Sequence, residues 1–511
     1  MQNYLDGGEA ILEAFRNLDI DYVMSSPGSE WGPMWEALAR QKVGNKDGPT
    51  YLSCWHETLA VNLAWGYTAV TGRLQAVLLH AGAGLLQGSM GIHAANATGI
   101  PMIVMSGETL TYGEEDGFDP GRQWYNSLSI VGGPNRLLEP IVKWANQITS
   151  SATLYETVMR TAQMAQRTPA GPTYLSVPIE TMLHEWTPPA KQRKVPAAQR
   201  PRAADADIER IAGLLVESEY PVITTETVGR EADGLAALVE LAELLAIPVI
   251  ESYVAKYTNF PKDHPLHQGF SFEAHLNDAD LVLSVRNRCP WYPPSNSPAN
   301  ATVIAVEESP FDETMVYQNL DADMFLEGDV VTSLRLLSDA VRAAGIDGAR
   351  VEARKARWAT AHDKLQEGYR AAEADARKES PIAPVWLAAA LSEAMPENAV
   401  YVDETTTHRR AIQNHLRCNG THDYVKVPTG LGQGLGCALG IKLAYKNRPV
   451  VSLIGDGAFL YNPVPQSLGL SMEADLPILI VVFNNSSYEA MKNNQLSYYP
   501  DGTGAQHNLF Y

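Results

Sequence analysis

Two polar turns, each directly after an apolar stretch, are the part of the sequence best suited to hold a metal ion and an anion. One apolar stretch ends at Ile454 and runs into the turn GDGA, and a second ends at Phe483 and runs into NN. Buried parallel strands separated by a helix end at one edge of a sheet, where open α/β folds bind ligands. The Asp456 carboxylate and the Asn485 amide offer the hard oxygen ligands that Mg²⁺ prefers, and glycines let backbone approach phosphate oxygens. The sequence therefore predicts a magnesium–diphosphate site here, with helix N–H groups after Gly457 facing the anion.

The spacing of these turns resembles a thiamine-diphosphate-binding motif. In the pyruvate decarboxylase, acetolactate synthase and benzoylformate decarboxylase superfamily, GDG is followed after about 26 residues by NN, as it is here. Either turn alone would be a routine loop, whereas both together after buried strands are specific. The resemblance implies that Asp456, Asn485 and the backbone carbonyl of Ser487 bind the metal, and that the ligand is thiamine diphosphate.

Two further segments look like parts of the same cofactor site. The segment TGLGQGLG, which begins at Thr429, is similar to the family's Gly-rich segment, and Leu431 would be the bulky residue wedged under the cofactor between its two rings. Plain core packing is the alternative for Leu431. The run ETTT from Glu404 resembles the loop whose hydroxyls meet the diphosphate, although a helix N-cap would also explain it. Together, the cofactor-binding residues implied by the resemblance are Glu57, Thr406, Thr407, Gly430, Leu431, Gly455, Asp456, Gly457, Ala458 and Asn485.

One carboxyl group is the candidate activator of the cofactor. In the family a buried glutamate protonates the aminopyrimidine ring, which then removes the thiazolium proton, and desolvation raises that glutamate's pKa into a useful range. Glu57, in the stretch WHETLAVNLAWGY, matches the family's HE pattern before a helix. The alternative is a carboxylate that only stabilises the start of a helix.

The residues that would choose the substrate are Ser29 and His80. The segment from His80, HAGAG, and the turn that ends at Ser29, SSPGS, look like the corresponding segments of benzoylformate decarboxylase. That resemblance implies that Ser29 hydrogen-bonds the carboxylate or carbonyl of a 2-oxo acid and that His80 relays a proton to the carbonyl oxygen. As alternatives, Ser29 caps a helix and His80 is a satisfied core histidine.

Two departures from the family pattern concern the substrate and the chain's end. Benzoylformate decarboxylase has a second active-site histidine in its middle domain, and the comparable stretch here, RNRCPWYP around Trp291 and Tyr292, has none. These aromatic side chains are expected either to line the pocket or to cover a sheet edge. The family also continues past the NN motif, so the diphosphate-binding domain is expected to be incomplete at its C-terminus.

Three functions remain open at this point. The first is a non-oxidative, magnesium-dependent decarboxylase or carboligase that forms a cofactor-bound carbanion or enamine from a 2-oxo acid. The second is an acetolactate-synthase-like transferase that condenses two 2-oxo acids, and the third is a catalytically silent homologue. FAD is not expected, because residues 204–340 contain no GxGxxG fingerprint. The family's geometry implies a homodimer or homotetramer whose sites join the N-terminal domain of one subunit to the C-terminal domain of another.

Short apolar strands that alternate with helices must position these residues. They predict an α/β protein with three doubly wound parallel-sheet domains. The predicted strands lie at 22–25, 75–79, 101–105, 221–225, 248–251, 281–285, 302–306, 399–402, 450–454 and 478–483, with a helix at 7–17. The predicted domains are an N-terminal pyrimidine-binding domain at 1–186, a linker at 187–203, a central domain at 204–345, a charged helix and linker at 346–380, and a diphosphate-binding domain at 381–511.

Bulk composition limits the partners. With 511 residues, 39 basic and 59 acidic side chains, the net charge of −20 argues against nucleic acid as a partner, because an acidic surface repels phosphate backbones. The four cysteines form no CxxC pair, which favours free thiols in a reducing cytoplasm. No apolar stretch reaches 18 residues, so no membrane partner is expected. The expected partners are therefore a small 2-oxo acid, and an aldehyde or second 2-oxo acid as acceptor.

Overall fold

Three parallel β-sheets organise the protein, which we describe from a computed structural model. The structure describes residues 5–108, 132–191, 196–275, 277–311, 322–427 and 430–510. Within them the first sheet has six strands in the order β2-β1-β3-β4-β6-β5, the second has five in the order β11-β10-β9-β7-β8, and the third has four in the order β13-β12-β14-β15. All the strand pairs within these sheets are parallel. The predicted α/β class with three parallel sheets is confirmed.

The strands are short and mostly apolar, as buried parallel strands are. They are β1 (Tyr22–Ser26), β2 (Thr50–Ser53), β3 (Gln75–Leu79), β4 (Met102–Glu108), β5 (Trp144–Gln147), β6 (Thr173–Pro178), β7 (Pro221–Thr225), β8 (Val249–Glu251), β9 (Leu281–Val285), β10 (Thr302–Glu307), β11 (Met324–Glu327), β12 (Val400–Glu404), β13 (Tyr424–Lys426), β14 (Val450–Gly455) and β15 (Leu479–Phe483). The predicted strands recur within one or two residues at each end. The exception is the carboxyl end of β4, which extends to Glu108.

Helices connect the strands. They are α1 (Gly7–Asn17), α2 (Gly32–Val43), α3 (Glu57–Thr71), α4 (Ala83–Ala97), α5 (Gly133–Leu138), α6 (Leu154–Gln166), α7 (Ile179–Leu183), α8 (Asp205–Glu217), α9 (Ala232–Leu245), α10 (Val330–Ala344), α11 (Gly348–Ala376), α12 (Pro384–Ala394), α13 (Arg409–His415), α14 (Gly434–Ala444), α15 (Asp456–Tyr461), α16 (Val464–Glu473), α17 (Glu489–Tyr498) and α18 (Thr503–His507). Among the described helices, none combines the length and apolar character that crossing a bilayer requires.

The contacts divide the chain into two compact units. Unit 1 comprises Met1–Gln199, Pro428–Asn447 and Asn462–Ile478, and unit 2 comprises Arg200–Val427, Arg448–Tyr461 and Leu479–Tyr511. Unit 1 therefore contains the first sheet together with α14 and α16, which flank β14 in the sequence. Unit 2 contains the second and third sheets. The predicted domain boundaries stay predictions.

Helices α3 and α14 pack closely within unit 1 because glycines leave no side chain between them. A Cβ added at Gly66 would lie 2.2 Å from the Cys437 carbonyl oxygen, and one added at Gly440 would lie 2.1 Å from the Leu63 carbonyl oxygen. Neither contact leaves room for a larger residue. This packing holds the segment before α14 beside the helix that begins at Glu57.

The charged segment after the central sheet is a helix with one packed face. In α11, Val351, Trp358 and His362 are buried, although the segment as a whole is highly charged. The Arg354 guanidinium donates to the Leu245 carbonyl oxygen at 3.1 Å, which ties the helix to the central domain. The predicted charged helix therefore has one buried face.

Candidate active site

The two turns of the predicted metal site meet at the carboxyl ends of β14 and β15 in unit 2. These strands pair in parallel, and Gly455 stands opposite Phe483 at the end of the ladder. The Asp456 Oδ2 atom accepts a hydrogen bond from the Ser486 backbone N–H at 3.0 Å. The Asn485 Oδ1 atom accepts one from the Ser487 N–H at 3.1 Å. The structure therefore brings Asp456, Asn485 and Ser487 together, as the sequence predicts.

Local hydrogen bonds fix the shape of this pair of turns. The Asp456 Oδ1 atom accepts from the Gly457 N–H at 2.9 Å, and Asn484 Oδ1 accepts from the Ser486 N–H at 2.9 Å. Ser486 adopts a left-handed φ of 56°, which reverses the chain after the two asparagines. The six-residue helix α15 begins at Asp456 itself, earlier than predicted. Ala458, in the same helix, is buried.

A threonine loop lies at the same edge of the third sheet. Glu404 ends β12 opposite Ile454 of β14, so the loop that follows neighbours the GDG turn. The Thr405 N–H donates to Asp403 Oδ1 at 2.7 Å, and the side chains of Thr406 and Thr407 are exposed.

The alternative explanation of this loop as a helix N-cap is wrong. Helix α13 begins at Arg409, and its N-cap His408 makes no side-chain capping bond. The hydroxyls of Thr406 and Thr407 are therefore placed before the cap, at the sheet edge.

A buried ion pair holds the start of the threonine loop. Asp403 lies 3.1 Å from the Lys426 ammonium and accepts a hydrogen bond from the Tyr424 hydroxyl at 2.7 Å. Burial and the Asp403 carboxylate raise the pKa of Tyr424 well above its ordinary value, so the phenol stays a donor. These contacts connect β12 and β13 at the edge of the sheet where the threonine loop begins.

The ligand set offered at the turns fits magnesium. It consists of a carboxylate, an amide oxygen and a backbone carbonyl, all hard oxygen atoms. No softer ligand from the described residues contacts these groups through a hydrogen bond or ion pair.

A second acidic group, in the central domain, is neutralised by arginines. Carboxylate oxygens of Glu231, Glu308 and Asp329 lie within 4.8 Å of one another. Arg286 lies 2.6 Å from Glu231 and also pairs with Glu308, and Arg200 lies 3.0 Å from both Glu231 and Asp329. Because cations already occupy this group, we assign no metal to it.

The candidate activating residue Glu57 is the first residue of α3, directly beyond β2 in unit 1. Its side chain is partly buried, and the preceding His56 caps the helix by accepting the Thr58 N–H on Nδ1 at 3.2 Å. A Cβ added at Gly84 would lie 3.0 Å from Glu57 Oε1 and 2.8 Å from His80 Cβ. Glu57 and His80 therefore flank Gly84 closely, and the structure brings two of the three predicted catalytic side chains together.

His80 follows β3 and is held by a glutamate that the sequence did not single out. Its Nδ1 lies 3.0 Å from both carboxylate oxygens of Glu30, and Glu30 also accepts the Ala81 N–H at 3.0 Å. The Glu30 side chain is 0% exposed, against 26% for His80. The hydrogen bond that His80 donates to Glu30 raises the pKa of His80 above 6.5, against partial burial, and the charges of Glu30, Glu57 and Glu108 act in the same direction.

Glu108 completes a cluster of acids around His80. It ends β4, next to β3 in the first sheet. Its buried Oε1 atom has no hydrogen-bond partner among the described residues. Burial, followed by the charge of Glu30, raises the pKa of Glu108 to about 7, although His80 opposes the change. The signal that could have found Glu30 and Glu108 is an acidic residue at or just beyond the end of an apolar strand.

Ser29 opens a short 3₁₀ turn, Ser29–Trp31, just beyond β1. Its side chain is exposed, and Gly28 rather than Ser29 is the N-cap residue of the turn. The buried Trp31 ring donates from Nε1 to the Leu79 carbonyl oxygen at 2.9 Å. This bond ties the Ser29 turn to the strand that leads to His80.

Leu431 lies in a glycine-shaped loop of unit 1. Gly430 and Gly432 have φ values of 135° and 81°, which L side chains rarely adopt. The Asn62 Nδ2 atom of α3 reaches the Gly432 carbonyl oxygen at 3.4 Å. Leu431 is 40% exposed, so plain core packing does not explain it. Thr429 of this segment lies outside the described residues.

Of the two aromatic residues singled out in the central domain, one packs against another ring and one is exposed. Trp291 packs against Phe272 at a ring distance of 5.6 Å, whereas Tyr292 is 77% exposed. Trp291 thus packs against a core cluster of the second sheet, and its expected role at the pocket or at the sheet edge stays a prediction.

Comparison with known proteins identifies the family. Three family models of thiamine pyrophosphate enzymes match this chain. The model of the N-terminal TPP binding domain matches residues 5–126, that of the central domain matches 208–337, and that of the C-terminal TPP binding domain matches 404–509. Benzoylformate decarboxylase of Pseudomonas aeruginosa is 26% identical over 508 residues, covering 94% of this chain and 86% of that protein. Acetolactate synthase of Bacillus subtilis is 23% identical over 507 residues, covering 96% and 84%.

A solved structure shows the same fold over nearly the whole chain. The thiamine diphosphate-dependent 4-hydroxybenzoylformate decarboxylase of Rhodococcus jostii RHA1 superimposes with a TM-score of 0.76 at 22% identity, covering 98% of this chain and 89% of that one. With the three domain matches, this places the chain in the family of thiamine-diphosphate-dependent enzymes that contains the 2-oxo acid decarboxylases and the acetolactate synthases.

Proposed function

We propose that the protein uses thiamine diphosphate and Mg²⁺ to decarboxylate a 2-oxo acid without oxidation, and to pass the product to an acceptor where one is present. The observation that carries this proposal is the junction of the Asp456 and Asn485 turns at the ends of two adjacent parallel strands. An oxygen-rich edge of this kind suits a metal-bridged diphosphate.

In this proposal the third sheet holds the metal and the diphosphate. Asp456, Asn485 and the Ser487 carbonyl would hold Mg²⁺, and the hydroxyls of Thr406 and Thr407 would donate to phosphate oxygens. When bound, thiamine diphosphate supplies an electron sink that accepts the pair left behind as CO₂ departs.

The groups of unit 1 handle protons and the substrate. Glu57 would hold a proton for the aminopyrimidine ring, and Leu431 would contact the cofactor. Ser29 hydrogen-bonds the substrate carboxylate or carbonyl, and His80 donates a proton to the carbonyl oxygen. A histidine suits this task because its pKa lies near neutral pH.

We further propose a homodimer or homotetramer in which each site takes Glu57 from one subunit and Asp456 with Asn485 from another. Within one chain these residues belong to different compact units. Symmetric homo-oligomers with shared sites are a common solution for soluble enzymes.

Carbon dioxide release tests the function. The purified protein would be loaded with thiamine diphosphate and Mg²⁺ and offered aliphatic and aromatic 2-oxo acids, with and without an aldehyde acceptor. Release without an acceptor supports the decarboxylase. Release only with a second 2-oxo acid points instead to the acetolactate-synthase-like transferase, and no release despite bound cofactor points to a catalytically silent homologue.

A further inference from the structure

The ring of His80 has one nitrogen fixed and one nitrogen available. Nδ1 is held by both carboxylate oxygens of Glu30, each at 3.0 Å. Among residues in the described ranges, no partner hydrogen-bonds Nε2. A carboxylate that accepts from Nδ1 fixes the protonated position and the orientation of an imidazole ring.

Space around this pair is kept clear by two glycines. A Cβ added at Gly28 would lie 1.8 Å from His80 Nδ1 and 2.2 Å from Glu30 Oε2. A Cβ added at Gly107 would lie 1.9 Å from Glu30 Cγ. The turn after β1 and strand β4 thus both contact the pair, and a side chain at either glycine would displace the Glu30 or His80 side chain.

Because the Glu30 side chain is buried, its carboxylate needs polar partners within the protein. An ionised carboxylate without solvent needs a charged or hydrogen-bonding partner, and Glu30 finds His80 and the Ala81 N–H. The imidazolium form satisfies this carboxylate better than the neutral ring does, because it adds a positive charge to the hydrogen bond.

We infer that Glu30 is the positioning residue of His80, holding Nδ1–H so that Nε2 is the atom that exchanges a proton with the substrate. This inference rests on the proposed function and deepens it. His80 Nε2 gives its proton to the substrate's carbonyl oxygen and becomes a neutral acceptor. Nδ1–H stays on the ring throughout, held by Glu30, so the returning proton has Nε2 as its only destination.

The charged groups that bear on His80 come from three elements besides its own. They are Glu30 beyond β1, Glu57 on α3 and Glu108 on β4, and each favours the protonated ring, with the largest contribution from the Glu30 hydrogen bond. Removal of the Glu30 charge therefore lowers the pKa of His80 more than removal of either other charge.

The test compares Glu30→Gln with the exposed control Glu36→Gln. Glu30→Gln should lower kcat/KM about 10- to 100-fold and shift the alkaline limb of its pH profile, where the proton donor His80 loses its proton, to lower pH, with less change in KM for the substrate. Glu36→Gln, 68% exposed and 3.8 Å from Arg40, should behave as wild type. A Glu30→Gln variant with an unchanged pH profile would overturn the inference.

A measurement without turnover separates this inference from the proposed function. Nitrogen NMR of the unloaded wild-type protein, with the His80 signal assigned from His80→Gln, should show Nδ1 protonated throughout and Nε2 titrating with a pKa above 6.5. Nε2 protonated with Nδ1 bare in the neutral ring would overturn the positioning role even if Glu30→Gln does not fold. If the NMR result holds while no 2-oxo acid releases CO₂, only the proposed function fails.

Discussion

The Asp456 carboxylate accepts the backbone N–H of Ser486 at 3.0 Å, and this single bond joins the two turns that carry the metal-binding motif. The bond orients one carboxylate oxygen toward the second turn while the other accepts the Gly457 N–H. A ligand whose orientation is fixed before the metal arrives loses less conformational freedom on binding.

Replacement of Asp456 by alanine should abolish Mg²⁺-dependent binding of thiamine diphosphate. The change removes a metal ligand and also frees the Ser486 turn, so we expect affinity to fall about 100-fold or more. Calorimetric titration of the cofactor in the presence of Mg²⁺ measures this. The matched control is Asp501→Ala, an exposed aspartate of the same unit, which should bind as wild type. Equal affinity in the two variants would remove Asp456 from the site.

Glu57→Gln should keep the cofactor and Mg²⁺ but lose nearly all turnover. Glutamine has almost the same shape, yet it cannot exchange the proton that the aminopyrimidine ring needs. Steady-state CO₂ release and a parallel binding titration check both halves, with exposed Glu209→Gln as the control. Near-wild-type turnover in the purified variant would contradict the assignment of Glu57 as the activating residue.

Relative to wild type, Glu108→Gln should be more stable at pH 8 than it is at pH 5. Burial raises the pKa of Glu108 from 4.5 to about 7, so the folded protein binds this proton more tightly than the unfolded chain. The tighter proton binding therefore contributes fully to the free energy of unfolding below pH 4.5, and this contribution is lost as the pH rises through 7. The loss amounts to at most about 3 kcal/mol. Glutamine resembles the neutral acid and does not ionise, so the variant does not lose this stability as the pH rises.

Thermal unfolding at the two pH values measures the effect of Glu108. The Tm of Glu108→Gln minus that of wild type should be larger at pH 8 than at pH 5. The exposed control Glu139→Gln should show no such change. A difference that is constant with pH would mean that Glu108 is ionised throughout this range.

A mixture of two inactive variants tests whether sites are shared between subunits. If each site takes Glu57 from one chain and Asp456 from another, mixed dimers of Glu57→Gln and Asp456→Ala contain one intact site. Refolding the two together should then restore about a quarter of the wild-type rate. Sites built within one chain would give no recovery, and that result would contradict the proposed assembly.

Strand positions and the metal turns could be predicted because they depend on local patterns. Apolar runs of five or six residues define β14 and β15, and the turns follow them directly. The Glu30–His80 pair could not be predicted, because it joins residues 50 positions apart whose meeting depends on the pairing of β1 with β3. The packing of α14 onto α3 is more distant still, and its only sequence signal is the glycines at the contact.

The most direct test of the central claim is a titration of the purified wild-type protein with thiamine diphosphate, with Mg²⁺ and again after metal removal by chelator. We expect one cofactor per chain with Mg²⁺ and a large loss of affinity without a divalent cation, because Asp456 and Asn485 would hold the diphosphate through the metal. Binding of equal strength with and without Mg²⁺, or no binding at all, would contradict it.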